Sequence, residues 1–404
     1  MNDFEVVVVG AGPAGAELAR CLAQAGVTVC LIDRLPHMAK AAFSSAALPL
    51  ASIDRFGLPA ELLAARWCGW QLLSPNGEWH QWQQSQALGA VLDFAALRQW
   101  LSAQVQSLGG ELRLGCTVTA CELERSGMKL ITHMRNHKGE SSSIRSDWVV
   151  DASGQSRCLI AEAGTNARDP LLLGVGLEWL LEVDQNRWQR WSERLSFLIG
   201  SNWVPNGYGW VFPMQPGCLK VGVCRLPNPN KQAGPSLGVL QKKVLGLLDL
   251  SGARVLDRHG GLIRSRVGRS DCHGRGRLLA IGDAVSTANL LGGEGIRHAM
   301  ESARVLAPLL LENLANPKNL IKSYRKKLKC QLGARWNLSG RLAQRTWQRL
   351  HTNQADQRME KLLQGLKHCS AADLSELLFN YRFERYGLRA LPYLFGMGGR
   401  SKSS

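Results

Sequence analysis

Val6-Val7-Val8-Val9-Gly10-Ala11-Gly12-Pro13-Ala14-Gly15 is the stretch that decides the fold. Four consecutive valines read as a buried strand, a glycine ends it, and Leu18, Ala19, Leu22 and Ala23 then fall on one face of a helix. The glycines keep the GxGxxG spacing, and each has a physical task. Gly10 permits the tight turn out of the strand, Gly12 lets the backbone approach a pyrophosphate, and Gly15 lets the helix pack close to the sheet. The pyrophosphate then rests on the helix N-terminus, beside Ala11, Pro13 and Ala14, where unpaired N–H groups and the positive dipole end favour an anion. A second apolar run, 27–32, delivers Asp33, with Arg34 beside it, to accept hydrogen bonds from a ribose hydroxyl. The spacing predicts a dinucleotide-binding βαβ unit. It does not separate NAD from FAD.

That separation comes from a distant segment. Leu278-Leu279-Ala280-Ile281-Gly282-Asp283-Ala284 is followed by Gly292-Gly293-Glu294-Gly295-Ile296, then by Arg297-His298-Ala299-Met300. The order reads as strand, turn, glycine-rich loop and helix. Asp283 at the end of a buried strand can accept a hydrogen bond from a ribityl hydroxyl, and the helix N-terminus can face the electron-rich edge of a reduced isoalloxazine. A third element, Val149-Val150-Asp151-Ala152-Ser153-Gly154, is again a strand ending in acid and glycine.

These three segments, in this order, resemble the FAD-dependent oxidoreductases that include aromatic hydroxylases, halogenases and geranylgeranyl reductases. The 292–296 loop and the helix after it are most similar to the geranylgeranyl reductases. So is Gly207-Tyr208-Gly209-Trp210-Val211-Phe212-Pro213 with Val221-Gly222-Val223, which resembles that family's YxWxFP…VGxG signature. The likeness covers roughly the first 310 residues. It implies an α/β (mixed α+β) fold, with a Rossmann-like FAD domain, an antiparallel-sheet substrate domain and a helical C-terminal region. FAD is the implied cofactor, held by residues 10–15, Asp33, Arg34, Asp151, Gly154, Gly282, Asp283 and 292–296. The chain also departs from the family. Residues 40–49 read Lys-Ala-Ala-Phe-Ser-Ser-Ala-Ala-Leu-Pro in place of a Pro-Cys-Gly-Gly stretch, an arginine expected near the start of the helix at 92–108 is displaced to Arg98, and Ser153 stands where an acid is common.

With 404 residues, 45% hydrophobic content and 42 glycines, the chain is long enough for a large core and two joined domains. The expected division is 1–65, 90–160 and 272–312 for the FAD domain, 66–89 and 161–271 for the substrate domain, and 313–404 for a basic helical region ending in a loose tail. No apolar run reaches transmembrane length: 171–181 is interrupted by Glu178, and 303–311 is too short. Asp3 and Glu5 precede a strand the fold needs, which speaks against a signal peptide. A cytoplasmic, monomeric protein, peripheral on a membrane at most, is the expectation. The eleven cysteines are scattered without a CxxC pair, so reduced, mostly buried thiols are expected and neither a disulfide framework nor a zinc site. His133 and His137 have helical metal-ligand spacing but no third ligand nearby, so a solvated hairpin is expected and no metal.

The formal charge is +17, and 313–350 contains no acid while carrying ten Lys and Arg from Lys318 to Arg349. Leu320, Tyr324, Leu328, Trp336 and Trp347 are interleaved with them. The segment reads as amphipathic helices whose basic faces are either solvated or docked on an anionic membrane surface or an acidic electron carrier. Nucleic acid is not expected, since no recognition motif accompanies the charge. Ten of the thirteen tryptophans fall at 67–100 and 179–210. Ser74-Pro75-Asn76-Gly77 predicts a hairpin turn there. Trp79, Tyr208, Trp210 and Phe212, with Ser44 and Ser45, are candidates to line an apolar substrate pocket, and Tyr208 is the candidate to relay a proton.

The resemblance implies hydride transfer from flavin N5 to a carbon–carbon double bond of a prenyl or other apolar substrate. The electron donor is NADPH or a small redox protein, since no second GxGxxG is present. Alternatives on the same scaffold are a monooxygenase or halogenase, which consumes oxygen; a lycopene-cyclase-like enzyme, whose product keeps the substrate's mass; and a prenyl-lipid carrier, which binds without turnover.

Overall fold

A computed structural model describes residues 3–40, 44–125, 127–160, 169, 171–227, 234–314 and 319–384. The replaced family stretch at 41–43, Lys318 and the expected tail after 384 lie outside these.

The opening valines form the strand Asp3–Val9 at the centre of an eight-stranded sheet. Five strands run parallel in the order Leu278–Ala280, Ser141–Asp151, Asp3–Val9, Val29–Ile32 and Glu111–Arg113. Alternate residues serve opposite faces, as a two-residue period requires. Val6, Val8, Leu31 and Val150 enter the main core beneath helices Pro13–Gln24, Phe94–Ser107 and Ile296–Glu312. Val7, Val9, Ile32 and Val149 pack under the antiparallel strands Cys116–Leu123 and Leu130–Asn136. His133 lies in that hairpin against Glu122 and Ser143. Of the eleven thiols only Cys30 and Cys218 are buried, fewer than expected.

A second sheet has seven strands, in the order Arg254–Ser265, Leu172–Glu182, Cys218–Arg225, Gly207–Pro213, Arg194–Ile199, Gly69–Leu73 and Trp79–Gln83. All pairs are antiparallel except that between Arg194–Ile199 and Gly69–Leu73. The predicted hairpin joins the last two strands, with Gly77 at φ +85°. Helices Gln185–Trp191 and Leu237–Leu247 cover one face of this sheet through Leu181, Leu198, Val211, Leu219, Val221 and Val223. Glu178, which interrupts the apolar run at 171–181, is buried in the other face.

Three C-terminal helices, Leu320–Trp347, Asn353–Leu366 and Ala371–Asn380, wrap across both sheets. The first kinks at Gly333, whose φ is +76°. Leu320, Tyr324 and Leu328 are buried in the core of the first sheet, whereas Lys322, Arg325, Lys326, Lys327 and Lys329 are exposed. The other two helices close over the aromatic face of the second sheet. Trp70 Nε1 donates to Ala371 O (3.1 Å), Trp82 Nε1 to Leu366 O (3.1 Å) and Trp347 Nε1 to Leu290 O (3.1 Å). No helix of the described residues is long and apolar enough to cross a membrane.

Candidate flavin and substrate site

The glycine turn is built as its spacing demands. Gly10 has φ +108°, and a Cβ there would lie 2.5 Å from Ala152 O; a Cβ on Gly15 would lie 1.9 Å from Gly10 O. Gly12 caps helix Pro13–Gln24 without a side-chain hydrogen bond, and a Cβ on it would meet nothing within 4 Å. An open, uncapped helix N-terminus with no acid in its first turn is a cradle for an anion. Asp33 accepts from Ala11 N (2.7 Å) and Leu35 N (2.9 Å), which ties the turn to the second strand. A carboxylate has four acceptor positions, so two bonds leave capacity for a ribose hydroxyl.

The late turn meets the early one. Gly282 has φ +64°, a Cβ on it would lie 2.8 Å from Ala14 Cβ, and its N–H is held by Ser302 Oγ (2.8 Å). Pro13, Asp283 and residues 292–296 line one wall of a single cavity of about 920 Å³. Burial pushes the Asp283 carboxyl up to about 6, against the Thr287 hydroxyl and the Arg264 charge, which act the other way. An acid in that state gains from a hydroxyl donor. Glu294 faces the cavity yet is also bound by Arg297, by His298 (3.3 Å) and by Tyr381 Oη (2.7 Å); burial raises its pKa, but the Arg297 charge and the His298 ring outweigh this and hold it far below the usual carboxylate range. The cradle and the acid-bearing turn stand where an extended dinucleotide requires them, so the residues present fit FAD.

One expected contact, Asp151, takes another part. Asp151 is buried and accepts from Ser153 N, Ser153 Oγ, Leu159 N and Ile160 N at 2.6–3.0 Å, so it pins the turn at Gly154–Ser156 and does not line the cavity. Arg34, beside Asp33, is exposed. Arg98 is buried and donates to Lys40 O (3.2 Å), bracing the segment before the altered loop.

The second wall comes from the seven-stranded sheet. Tyr208, Trp210 and Phe212 alternate on one face with Trp70, Leu72 and Phe197 beside them, and all six line the cavity. Gly222 pairs with Trp210, and a Cβ there would lie 2.2 Å from the indole; this glycine of the signature makes room for the ring. Ser44 and Ser45 line the cavity too. Tyr208 Oη lies 3.1 Å from where a Gly293 Cβ would be, and burial drives its pKa well above that of a free phenol. Trp79 is a correction: it packs on Trp191 on the opposite face (5.7 Å) and does not reach the cavity. Of the two tryptophan groups only Trp70 and Trp210 line it.

The third wall was not foreseen. Trp347, Leu350, Met359, Leu362, Leu374 and Leu378 of the C-terminal helices complete the apolar lining, and Arg345, Arg349, Arg358 and Lys361 form an exposed cationic rim. Sequence reasoning also missed Glu178 and His259 in the cavity wall. Among the described residues, Glu78, His80 and Glu360 bring possible metal donors within 4.8 Å of one another at the sheet edge, away from the cavity.

Residues 3–170 match the family model of the FAD binding domain. The chain is 27% identical over 328 residues to digeranylgeranylglycerophospholipid reductase of Haloferax volcanii, covering 78% of this chain and 77% of that protein. It is 25% identical over 350 residues to geranylgeranyl diphosphate reductase of Synechocystis, covering 82% of each. In fold it is similar to a geranylgeranyl bacteriochlorophyll reductase-like protein of Thermoplasma acidophilum, with TM-score 0.82, 21% identity and 97% and 98% of the two chains covered. A myxobacterial chondrochloren halogenase is similar at TM-score 0.67 and 15% identity over 98% of each chain. With the motifs, the two adjoining turns and these relatives in agreement, the chain is an FAD-dependent oxidoreductase similar in sequence and fold to the geranylgeranyl reductases.

Proposed function

We propose that this enzyme reduces carbon–carbon double bonds of a prenyl chain that carries an anionic head group. The observation that carries the reading is the one cavity, which runs from the cradle of Pro13, Asp283 and Gly292 along an aromatic and aliphatic wall to the rim of Arg345, Arg349, Arg358 and Lys361. Its volume is at the upper end of small-molecule sites, as a cofactor ring and a long chain together require. Bound FAD supplies a hydride to the alkene. The chain's own residues do the rest. Trp70, Trp210, Phe212 and Leu374 exclude water and hold the chain extended, and the rim cations pair with phosphate at the mouth. The relatives named for geranylgeranyl diphosphate and digeranylgeranylglycerophospholipid fit this division into apolar tail and anionic head.

The test is anaerobic. Yellow, FAD-loaded protein reduced with dithionite is mixed with geranylgeranyl diphosphate, and the flavin is expected to reoxidise while the product gains two hydrogens per double bond. Oxygen-dependent turnover alone points to the monooxygenase or halogenase, a product of unchanged mass to the cyclase, and binding without turnover to the carrier. For the natural donor we propose a small acidic redox protein on the basic surface, with NADPH as the second reading. A reduction rate that falls with added salt supports the carrier.

A further inference from the structure

The cavity face of the seven-stranded sheet is mainly aromatic and aliphatic, with Arg225 at one end. On it Glu178 and His259 lie opposite each other on strands Leu172–Glu182 and Arg254–Ser265. Glu178 is 4% exposed. His259 Nε2 is 3.0 Å from Glu178 Oε1, Trp210 Nε1 donates to Glu178 Oε2 (2.7 Å), and Ser45, which lines the same cavity, is close enough to help lower the pKa of this carboxylate. Behind the imidazole, His259 Nδ1 is 3.2 Å from Oδ2 of Asp257, whose side chain is 53% exposed. Asp257, His259 and Glu178 therefore form a row from solvent to the cavity wall, where Ser45 stands beside Glu178.

Burying a carboxylate costs several kcal/mol unless partners compensate. If Glu178 served only to accept the Trp210 N–H, a neutral acceptor would serve at lower cost, and no imidazole leading to solvent would be needed. Other groups face the pair. Lys220, on the neighbouring strand Cys218–Arg225, is buried, donates to Ser44 O (2.7 Å) and acts electrostatically on Glu178; Asp93 in turn acts on Lys220. Burial disfavours the charged forms of both members. The His259 hydrogen bond and the Lys220 charge nevertheless hold Glu178 below its ordinary pKa, and Glu178, then Asp257, raise His259 above its own. Both shifts favour the pair of carboxylate and imidazolium, a stored proton.

We propose that Glu178 and His259 are the proton relay of this enzyme and that Ser45 is the group from which the substrate carbon takes its proton. The inference rests on the reductase reading above. In the step, the alkene loses its π bond. One carbon accepts a hydride, with both electrons, from reduced flavin; its neighbour takes the hydroxyl proton of Ser45. Ser45 is reprotonated through Glu178 with the proton of His259 Nε2, which leaves His259 as the Nδ1–H tautomer facing Asp257, and the vacated Nε2 then takes a proton from solvent. Ser45 is then the catalytic residue, with Glu178 and His259 positioned behind it. Buried Tyr208, whose phenol holds its proton more tightly than in water, is left to shape the wall.

The experiment uses the full-length FAD-loaded protein with E178Q, H259Q and S45A. Stopped-flow reoxidation of the reduced flavin by geranylgeranyl diphosphate is followed from about pH 5.5 to 9, in H₂O and D₂O. The wild-type rate is expected to fall as pH rises through the His259 pKa. E178Q and S45A are expected to be slower by about 10²-fold or more with a larger solvent isotope effect, and H259Q to lose the pH dependence. Variants within about threefold of wild type, on the same pH profile, overturn the relay while leaving the reductase reading intact. A second readout needs no turnover: the Trp210 indole N–H resonance, assigned with W210F, is expected to titrate in the wild type and not in H259Q. An unmoved Trp210 resonance overturns the relay whatever the substrate. Wild-type protein that transfers nothing to a prenyl chain sinks the reductase reading instead.

Discussion

Glycines 12 and 15 sit three residues apart and answer different questions. At Gly15 a side chain would run into Gly10 O at 1.9 Å, so Gly15→Val is expected to disrupt the sheet–helix contact and yield little folded protein. At Gly12 a side chain meets only open space, and its φ of −73° suits any residue, so Gly12→Val is expected to fold with the melting temperature of wild-type protein stripped of FAD. The same side chain stands where the pyrophosphate must come, and that variant is expected to purify colourless. Equal FAD content in the two proteins would remove the cradle from this reading. Asp283 adds a pH dependence. Its pKa is pushed up to about 6, and only the ionised form would accept a ribityl hydroxyl with full charge, so FAD affinity is expected to fall as pH drops through that value. Asp283→Asn is expected to abolish this dependence and weaken FAD binding about 10- to 100-fold, the loss of a charge-assisted hydrogen bond. Fluorescence titration of released FAD against pH measures both. Such roles were legible in the sequence because each is local: a turn, a helix start and an acid are set by neighbours within a few residues. Trp79 shows what local reading overlooked. Trp79 and Trp82 are an odd number of residues apart on one strand, so only one of them can face the cavity side, and Trp82 is the one that does.

At the scale of elements, the glycine loop at 292–295 is fastened to the last described helix. Tyr381, just beyond Ala371–Asn380, donates to Glu294 Oε2 (2.7 Å) and lies 2.8 Å from His298 Nε2, while Arg297 donates to Phe379 O (2.6 Å). Glu294 carries opposite charge to Arg297 and is nearly buried, so removing it leaves an uncompensated cation. Glu294→Ala is expected to cost about 3–5 kcal/mol and to loosen the third wall, seen as faster proteolysis within 353–384. Tyr381→Phe removes both hydrogen bonds of the phenol and is expected to cost about 1–3 kcal/mol, with FAD content unchanged. A proteolysis rate equal to wild type in the Glu294 variant would separate the loop from the helix. This junction was hidden from sequence reading because its partners are 82 to 87 residues apart and the acid of the motif was assigned to the cofactor alone. The wall formed by Trp70 with Ala371, 301 residues apart, was hidden for the same reason. Periodicity identifies an apolar helix face, not the surface it will cover.

For the whole molecule the open question is how a net charge of +17 meets an anionic surface. The helix Leu320–Trp347 is amphipathic, and a basic amphipathic helix suggests insertion into a bilayer. Here the apolar side, Leu320, Tyr324, Leu328 and Trp336, is already buried in protein, which leaves Lys322, Arg325, Lys326, Lys327, Lys329 and Arg335 on the exposed side. Binding by this face alone is electrostatic, worth about 1 kcal/mol per cation near an anionic leaflet and screened within about 10 Å at 0.1 M salt. The enzyme is therefore expected to sediment with phosphatidylglycerol vesicles at low salt and to be released at about 0.5 M, where the Debye length is shorter still. It is expected to ignore phosphatidylcholine vesicles. The variant K326E/K327E is expected to bind the anionic vesicles about tenfold or more weakly, while flavin content and turnover of a soluble prenyl diphosphate stay unchanged, because neither lysine lines the cavity. Vesicle binding that survives high salt would mean that a buried apolar face has turned outward, and the packing of this helix on the FAD-domain core would then have to give way.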